Sequence, residues 1–101
     1  AIKGYEKESL LPLEEACRPL LAIIDELDDN IRIAKGNSRF PSDGLSPDES
    51  ASIHLYTMEW CEPEKSLYAV LNRTLRAPER QMLKPWFKYF KLFLSALLKL
   101  P

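Results

Sequence analysis

The chain has 101 residues, of which 46% are hydrophobic and 29% charged, and its formal net charge is -1. This balance excludes a disordered tail, which has low hydrophobicity and high net charge. Three glycines and eight prolines exclude a collagen-like or low-complexity chain. A nucleic-acid binder usually shows a basic excess, so no nucleic-acid partner is expected. We expect a single domain, or a subdomain, with one modest hydrophobic core.

The start of the chain and its longest apolar run indicate whether the protein is processed and whether it crosses a membrane. The sequence has no initiator methionine and no signal-type apolar core, so we interpret it as an excerpt or a processed product. The longest apolar run without a charge, residues 92–98, is far shorter than the roughly 20 residues that a bilayer requires. We therefore expect a soluble protein without a membrane span.

The first predicted helix runs from about residue 13 to residue 35. Its apolar residues are spaced by three or four positions, which places them on one side of a helix. They are Leu13, Cys17, Leu20, Ile24, Leu27, Ile31 and Ala34. Pro19 lacks an amide hydrogen, so we expect a kink there or a helix that restarts. Gly36-Asn37 predicts a left-handed residue at the end of this helix.

The second predicted helix, about residues 46–60, begins at the clearest local pattern in the chain. Ser46 stands at the N-cap, Pro47 at the first helical position and Glu49 at N3, which is the pattern of a capping box. Asp48 and Glu49 also suit the positive end of the helix dipole. Because few of the following positions are polar, we expect this helix to be buried over much of its circumference.

Two further helices complete a predicted all-α fold, an irregular bundle of four principal helices. The third, about residues 63–76, follows Pro63. Its predicted inner face consists of Leu67, Val70, Leu71 and Leu75. The fourth, about residues 79–100, is rich in aromatic residues and leucine, and its polar residues fall on one narrow strip. This strip consists of Lys84, Lys88, Lys91, Ser95 and Lys99.

The sequence contains few groups that could carry chemistry. Cys17 and Cys61 are too few for a disulfide scaffold and have no companions at zinc-ligand spacing. They form either one disulfide or two separate thiols, and we favour separate thiols. The sequence has no glycine-rich phosphate loop and no nucleophile motif. We therefore predict no metal site and no catalytic residue in this chain.

One cluster does suggest binding. Tyr68, Asn72 and Arg76 follow one another at intervals of four, which aligns them along one side of the third helix. A phenol ring can stack on a base, an amide can both donate and accept hydrogen bonds, and a guanidinium can bind phosphate. The set suits a nucleoside diphosphate. An amphipathic helix whose edge happens to be polar would have the same spacing.

Seven stretches of the chain carry a family resemblance, and all of them lie after residue 43. They are residues 44–51 (Gly-Leu-Ser-Pro-Asp-Glu-Ser-Ala), 55–60 (Leu-Tyr-Thr-Met-Glu-Trp), Ser66-Leu67-Tyr68, Leu71-Asn72, Thr74-Leu75-Arg76, 83–87 (Leu-Lys-Pro-Trp-Phe) and 97–101 (Leu-Leu-Lys-Leu-Pro). In order and spacing they resemble the amino-terminal helical region of arginine-specific mono-ADP-ribosyltransferases, especially the large invertebrate sets of these enzymes. A tyrosine-threonine pair followed by a Tyr-x-x-x-Asn-x-x-Leu-Arg helix also recurs in related bacterial toxins. The resemblance covers about residues 10–101.

This resemblance implies a role beside an NAD-binding cleft. In the family, a helical layer packs against a mixed β core that supplies an Arg-Gly strand, a Ser-Thr-Ser strand and a Glu-x-Glu loop. The last glutamate of that loop stabilises the oxocarbenium-like transition state as nicotinamide leaves. The resemblance implies that Tyr68, Asn72 and Arg76 bind the adenosine and phosphate parts of NAD, the substrate of the parent enzyme. The implied partners are the catalytic β core and a protein substrate with an acceptor arginine.

The chain also departs from the family. It contains no Arg-Gly pair and no Ser-Thr-Ser sequence, and Glu62-Pro63-Glu64 precedes Tyr68, the reverse of the family's order. We therefore expect this chain to lack the catalytic half, to be inactive alone and to bind NAD weakly or not at all, so no cofactor is expected for it by itself. The alternative is a stand-alone helical protein–protein interaction module without catalysis.

Overall fold

The computed structural model describes residues 5–41, 44–60 and 62–100, and the secondary structure of these ranges is helical without a strand. The α-helices are α1 (Leu13–Ala16), α2 (Leu27–Gly36), α3 (Pro47–Thr57), α4 (Leu67–Arg76) and α5 (Phe87–Lys99). Short 3₁₀ helices cover Tyr5–Lys7, Arg18–Leu20, Pro63–Lys65 and Arg80–Trp86. The helices α2 to α5 each have ten residues or more. The predicted all-α fold with four principal helices is confirmed.

The continuous helix predicted over residues 13–35 is wrong. The α-helical path stops at Ala16, because Pro19 has no amide hydrogen and its ring would clash with the carbonyl of Glu15 in a continuing helix. A 3₁₀ helix and a turn follow, and α2 begins only after Glu26, whose φ of 62° is left-handed. The restart that the sequence allowed therefore occurs, but eight residues beyond the proline.

The predicted burial of this segment is nevertheless confirmed. None of the seven apolar residues predicted to face inward is more than 4% exposed, although most of the backbone between Cys17 and Glu26 is not α-helical. The acidic residues that alternate with them are exposed. These are Glu14, Glu15, Asp25, Glu26, Asp28 and Asp29.

The end of α2 differs from its prediction. Asn37, the C-cap, has a φ of -85° and is right-handed, so the left-handed residue expected at Gly36-Asn37 is absent. Right-handed turn geometry continues here, with the amide of Asn37 donating to the carbonyl of Ile33 and that of Ser38 to Lys35. The last carbonyls of α2 are thus satisfied without a left-handed cap.

The start of α3 confirms the predicted capping box. The amide of Glu49 donates to Ser46 Oγ over 3.1 Å, and the amide of Ser46 donates to Glu49 Oε1 over 2.8 Å. Asp48 Oδ1 also accepts the amide of Leu13 over 3.0 Å and lies 3.2 Å from Lys35 Nζ. The first turn of α3 therefore holds α1 and α2 in place. The helix ends at Thr57 rather than at residue 60.

The helices α3 and α5 form the centre of the bundle. They pack together more extensively than any other two elements, and the largest buried side chains are Trp86, Tyr89 and Phe90. The hydroxyl of Tyr89 donates to the carbonyl of Ser52 over 2.8 Å. At the far end of α5, Lys99 Nζ donates to Glu49 Oε1 over 2.8 Å. This bond ties the end of α5 to the start of α3.

The fourth predicted helix consists of two elements in the structure, the 3₁₀ helix Arg80–Trp86 and α5. Pro85 lies in the 3₁₀ helix that precedes α5, where its missing amide is accommodated. Lys84, Lys88 and Lys99 are exposed, while Lys91 and Ser95 are half-buried. Leu97 and Leu98 in the last turn of α5, and Leu100 just after it, are also exposed, so the exposed surface here is wider than the narrow polar strip that was predicted.

The third predicted helix begins later than residue 63 and has a shifted inner face. Ser66 is the N-cap of α4, and its Oγ accepts the amide of Ala69 over 3.1 Å. Leu67 and Leu71 are buried, but Leu75 is 43% exposed and Thr74 takes the buried position instead. Thr74 can be buried because its hydroxyl donates to the carbonyl of Val70. No helix in the described ranges is both long and apolar enough to cross a membrane.

Candidate functional site

The polar residues predicted as a binding row lie on the outer side of α4. Tyr68, Asn72 and Arg76, called here the α4 row, occupy successive turns of this helix. Tyr68 is 52% exposed, Asn72 is half-buried and Arg76, the last residue of the helix, is exposed. Leu67 and Leu71 hold the opposite side of α4 in the core, which turns the row outward.

Ring contacts support one end of this row. Tyr68 meets Tyr56 of α3 edge to face, with ring centroids 5.2 Å apart and planes at 70°. Tyr56 in turn contacts Phe93 of α5, with centroids 4.9 Å apart. Tyr68 is therefore held from one side by a chain of aromatic rings that reaches into the core, and about half of it stays accessible.

Asn72 connects the row to this aromatic support. Its Nδ2 donates to the carbonyl of Tyr68 over 2.8 Å. The pKa of the Tyr56 phenol is raised, mainly by burial and next by the nearby Tyr68, while a hydrogen bond with Asn72 partly opposes the shift. Asn72 thus contacts the Tyr56 side chain and the backbone of its own helix, and it keeps part of its hydrogen-bonding capacity for a ligand.

A cleft of about 870 Å³ opens between the end of α3 and the start of α4. It is lined by Tyr56, Thr57, Met58, Glu59, Trp60, Pro63, Glu64, Ser66, Tyr68 and Ala69. Tyr68 is the member of the α4 row that belongs to this lining, so the row runs away from the cleft along the helix. The volume is in the range of small-molecule sites.

One residue that lines the cleft, Trp60, carries a buried hydrogen-bond donor. Trp60 is only 7% exposed, and its Nε1 has no hydrogen-bond partner among the described residues. Buried indole N–H groups normally find an acceptor, because an unpaired one costs about 1–3 kcal/mol. Sequence reasoning did not select Trp60, Glu59 or Glu64 as site residues. The sequence signal that could have indicated this cleft is Trp60, which stands three residues before the helix-breaking Pro63.

The glutamates at Glu-x-Glu spacing do not form one carboxylate pair. Glu64 lines the cleft, whereas Glu62 lies 3.4 Å from Lys65 in an exposed ion pair. The same spacing also occurs at Glu6 and Glu8, again before Tyr68 in the chain.

The cysteines give no reactive site in the described part of the chain. Cys17 is a free thiol and fully buried, and burial, followed by the charge of Glu14, raises its pKa to about 12. The thiol therefore stays protonated and unreactive at neutral pH. The favoured separate thiols agree with a free Cys17, while Cys61 lies outside the described residues. Within residues 5–41, 44–60 and 62–100, no three His, Cys, Asp or Glu side chains are grouped to hold a metal ion.

Comparison of the chain with protein-family models, with curated proteins and with solved structures finds no match in any of the three. The relation to ADP-ribosyltransferases is therefore still a prediction from the sequence pattern.

Proposed function

We propose that this chain is the amino-terminal helical subdomain of an NAD-dependent protein-arginine mono-ADP-ribosyltransferase and forms one wall of its NAD cleft. The catalytic residues would come from a β core, since the 101 residues contain no Arg-Gly pair and no Ser-Thr-Ser sequence. NAD is the substrate of the proposed parent enzyme, and a protein with an acceptor arginine is the second substrate.

The observation that carries this proposal is the outward direction of the α4 row. On an α-helix, residues 68 and 76 are about 12 Å apart along the axis, which is comparable with the distance from a base to its second phosphate. Tyr68 offers an accessible ring for stacking, and Arg76 offers an exposed guanidinium for phosphate. Asn72 lies between them with hydrogen-bonding capacity left over. One wall of a nucleotide cleft needs such groups outside the core.

The exposed leucines of α5 favour a subdomain over a stand-alone module. Leu98 is 86% exposed, and Leu97 and Leu100 beside it are also exposed. A cluster of large apolar side chains on the surface is typical of an interface that another layer covers. We infer that the catalytic β core of the parent packs here.

The alternative function, a helical protein–protein interaction module, is favoured by one observation. A single hydrophobic core takes residues from α1 to α5, so the chain buries its own apolar stripe without a second layer. The sequence that follows Pro101 in the parent gene separates the two. An Arg-Gly strand within roughly ten residues, with a Glu-x-Glu farther on, supports the transferase; a stop codon or an unrelated domain supports the module.

The residue-level test uses Arg76→Ala in the full-length parent. We expect the KM for NAD to rise about tenfold or more, because a hydrogen bond to a charged group contributes about 1.5–3 kcal/mol and 1.4 kcal/mol is tenfold in affinity. The matched control is Arg32→Ala, which removes an exposed arginine from α2, where it pairs with Asp29. Initial-rate kinetics measure both. An unchanged KM in Arg76→Ala, or an equal rise in the control, contradicts the proposal.

A further inference from the structure

We propose that the cleft between α3 and α4 binds a basic side chain, arginine or lysine, of a partner polypeptide. The proposal concerns how a polypeptide docks, not which of its side chains reacts. It does not require NAD to be bound: the cleft shares Tyr68 with the α4 row, but its lining includes neither Asn72 nor Arg76.

The carboxylates that line the cleft favour a positively charged ligand. Glu59 and Glu64 belong to its lining and are exposed, and none of the lining residues that the structure describes is a lysine or an arginine. The guanidinium of Arg73 donates to the backbone carbonyl of Glu64 over 2.8 Å, but Arg73 is not part of the lining. Lys65 is directed toward Glu62 and Asp25. The described residues of the lining therefore carry a net negative charge.

The apolar surface of the cleft suits the stem of such a side chain. Tyr56 and Tyr68 meet at 70°, so two ring surfaces form a corner. Met58 and Pro63 add aliphatic surface. Lysine and arginine bury a chain of methylene groups along apolar surface and place the charged group over an aromatic ring or beside a carboxylate. The cleft offers all three elements.

The unpaired indole favours a polypeptide over a free small cation. Trp60 Nε1 is a buried donor that has no acceptor in the part of the chain that the structure describes, and Trp60 belongs to the lining of the cleft. An extended peptide supplies backbone carbonyl oxygens next to each side chain, whereas an isolated ammonium or guanidinium ion supplies donors only. A peptide segment seated in the cleft would bring such oxygens to the wall that contains Trp60.

The test is a titration of the chain, without NAD, with N-acetylarginine methylamide and with its neutral isostere, N-acetylcitrulline methylamide. We expect the arginine derivative to bind and to shift the indole N–H resonance of Trp60, while the buried indole of Trp86 serves as an internal reference. The citrulline derivative should bind at least fivefold more weakly. Equal binding of the two compounds, or no shift at Trp60, overturns the proposal.

A pair of double variants locates the binding charge. Glu59→Gln with Glu64→Gln should weaken binding about tenfold. Glu62→Gln with Glu79→Gln removes the same total charge from exposed positions outside the lining and should leave binding within twofold. Equal loss in both double variants means that net charge, not the cleft, attracts the cation and refutes the site. Because NAD is absent, failure here leaves the Arg76 test unaffected, and failure of that test leaves this one standing.

Discussion

Residues 13–36 and residues 46–57 each bury one face against the same core, but their backbones do so differently. The first segment passes through α1, a 3₁₀ helix, a turn and α2, with a left-handed Glu26 before α2. The second is one uninterrupted helix whose first turn is closed by its own Ser46 and Glu49. The difference shows that apolar spacing decides which side chains go inside, whereas local hydrogen bonding decides the path that the backbone takes.

The largest expected effect tests burial in the broken segment. Leu20→Ala should lower the free energy of unfolding by about 2–5 kcal/mol, because Leu20 is fully buried although it lies in a 3₁₀ helix. Its neighbour Leu21 is exposed, so Leu21→Ala should cost less than about 1 kcal/mol. Denaturant unfolding measures both variants. Equal losses would show that the core does not distinguish the two positions.

A smaller effect tests the capped start of α3. Glu49 is only 2% exposed. Burial by itself raises the pKa of its carboxyl group, but the hydrogen bonds from Lys99 and from the Ser46 amide have the larger combined effect. The pKa of Glu49 is therefore lowered. A lowered native pKa means that the carboxylate stabilises the fold above its unfolded pKa and that this stability is lost as the pH falls through the native pKa. Glu49→Gln should therefore cost about 1–3 kcal/mol at neutral pH and progressively less in acid.

The control for this variant is Asp29→Asn, which removes an exposed carboxylate paired with Arg32 on α2. Its cost should stay within about 1 kcal/mol, as for most surface pairs. Unfolding is followed at several pH values between neutral and acid for both variants. A cost of Glu49→Gln that does not fall with pH is inconsistent with a stabilising carboxylate at this position.

The smallest effect returns to the turn before α2. Glu26→Gly should stabilise the protein by about 0.5–1 kcal/mol, because a left-handed L-residue costs roughly 1–2 kcal/mol and glycine recovers part of this after its larger unfolded-state entropy. Glu15→Gly, in the right-handed α1, should instead destabilise by about 1 kcal/mol. Thermal unfolding distinguishes the signs. Destabilisation by both glycines would contradict the left-handed turn.

The parts of the fold that depend on neighbours in sequence could be predicted. The capping box needs only Ser46, Glu49 and the amides between them, and the helical stripe needs only residue spacing. Pro19 allowed either a kink or a restart, and the position of the restart is set by how the turn packs. The bond between Asp48 and the amide of Leu13 joins residues 35 positions apart, so no local pattern indicates it.

Part of the candidate site could likewise be predicted from the sequence, and part of it could not. Helix arithmetic predicted that Tyr68, Asn72 and Arg76 share one side of α4, and that side faces outward. The cleft could not be predicted, because it depends on the paths of residues 58–60 and 62–66 between two helices. The shift from Leu75 to Thr74 was missed because the hydroxyl of Thr74 is satisfied within its own helix, which removes the usual penalty for its burial.

The bond from the Leu13 amide to Asp48 has a consequence for the order of folding. A helix of four residues cannot nucleate in isolation, since the first turn fixes several dihedral angles for a single hydrogen bond. The amide that opens α1 gains its acceptor only once α3 exists. We therefore expect α3 and α5 to associate early, with α1 forming late and contributing little to the transition state, which corresponds to low φ-values near Leu13.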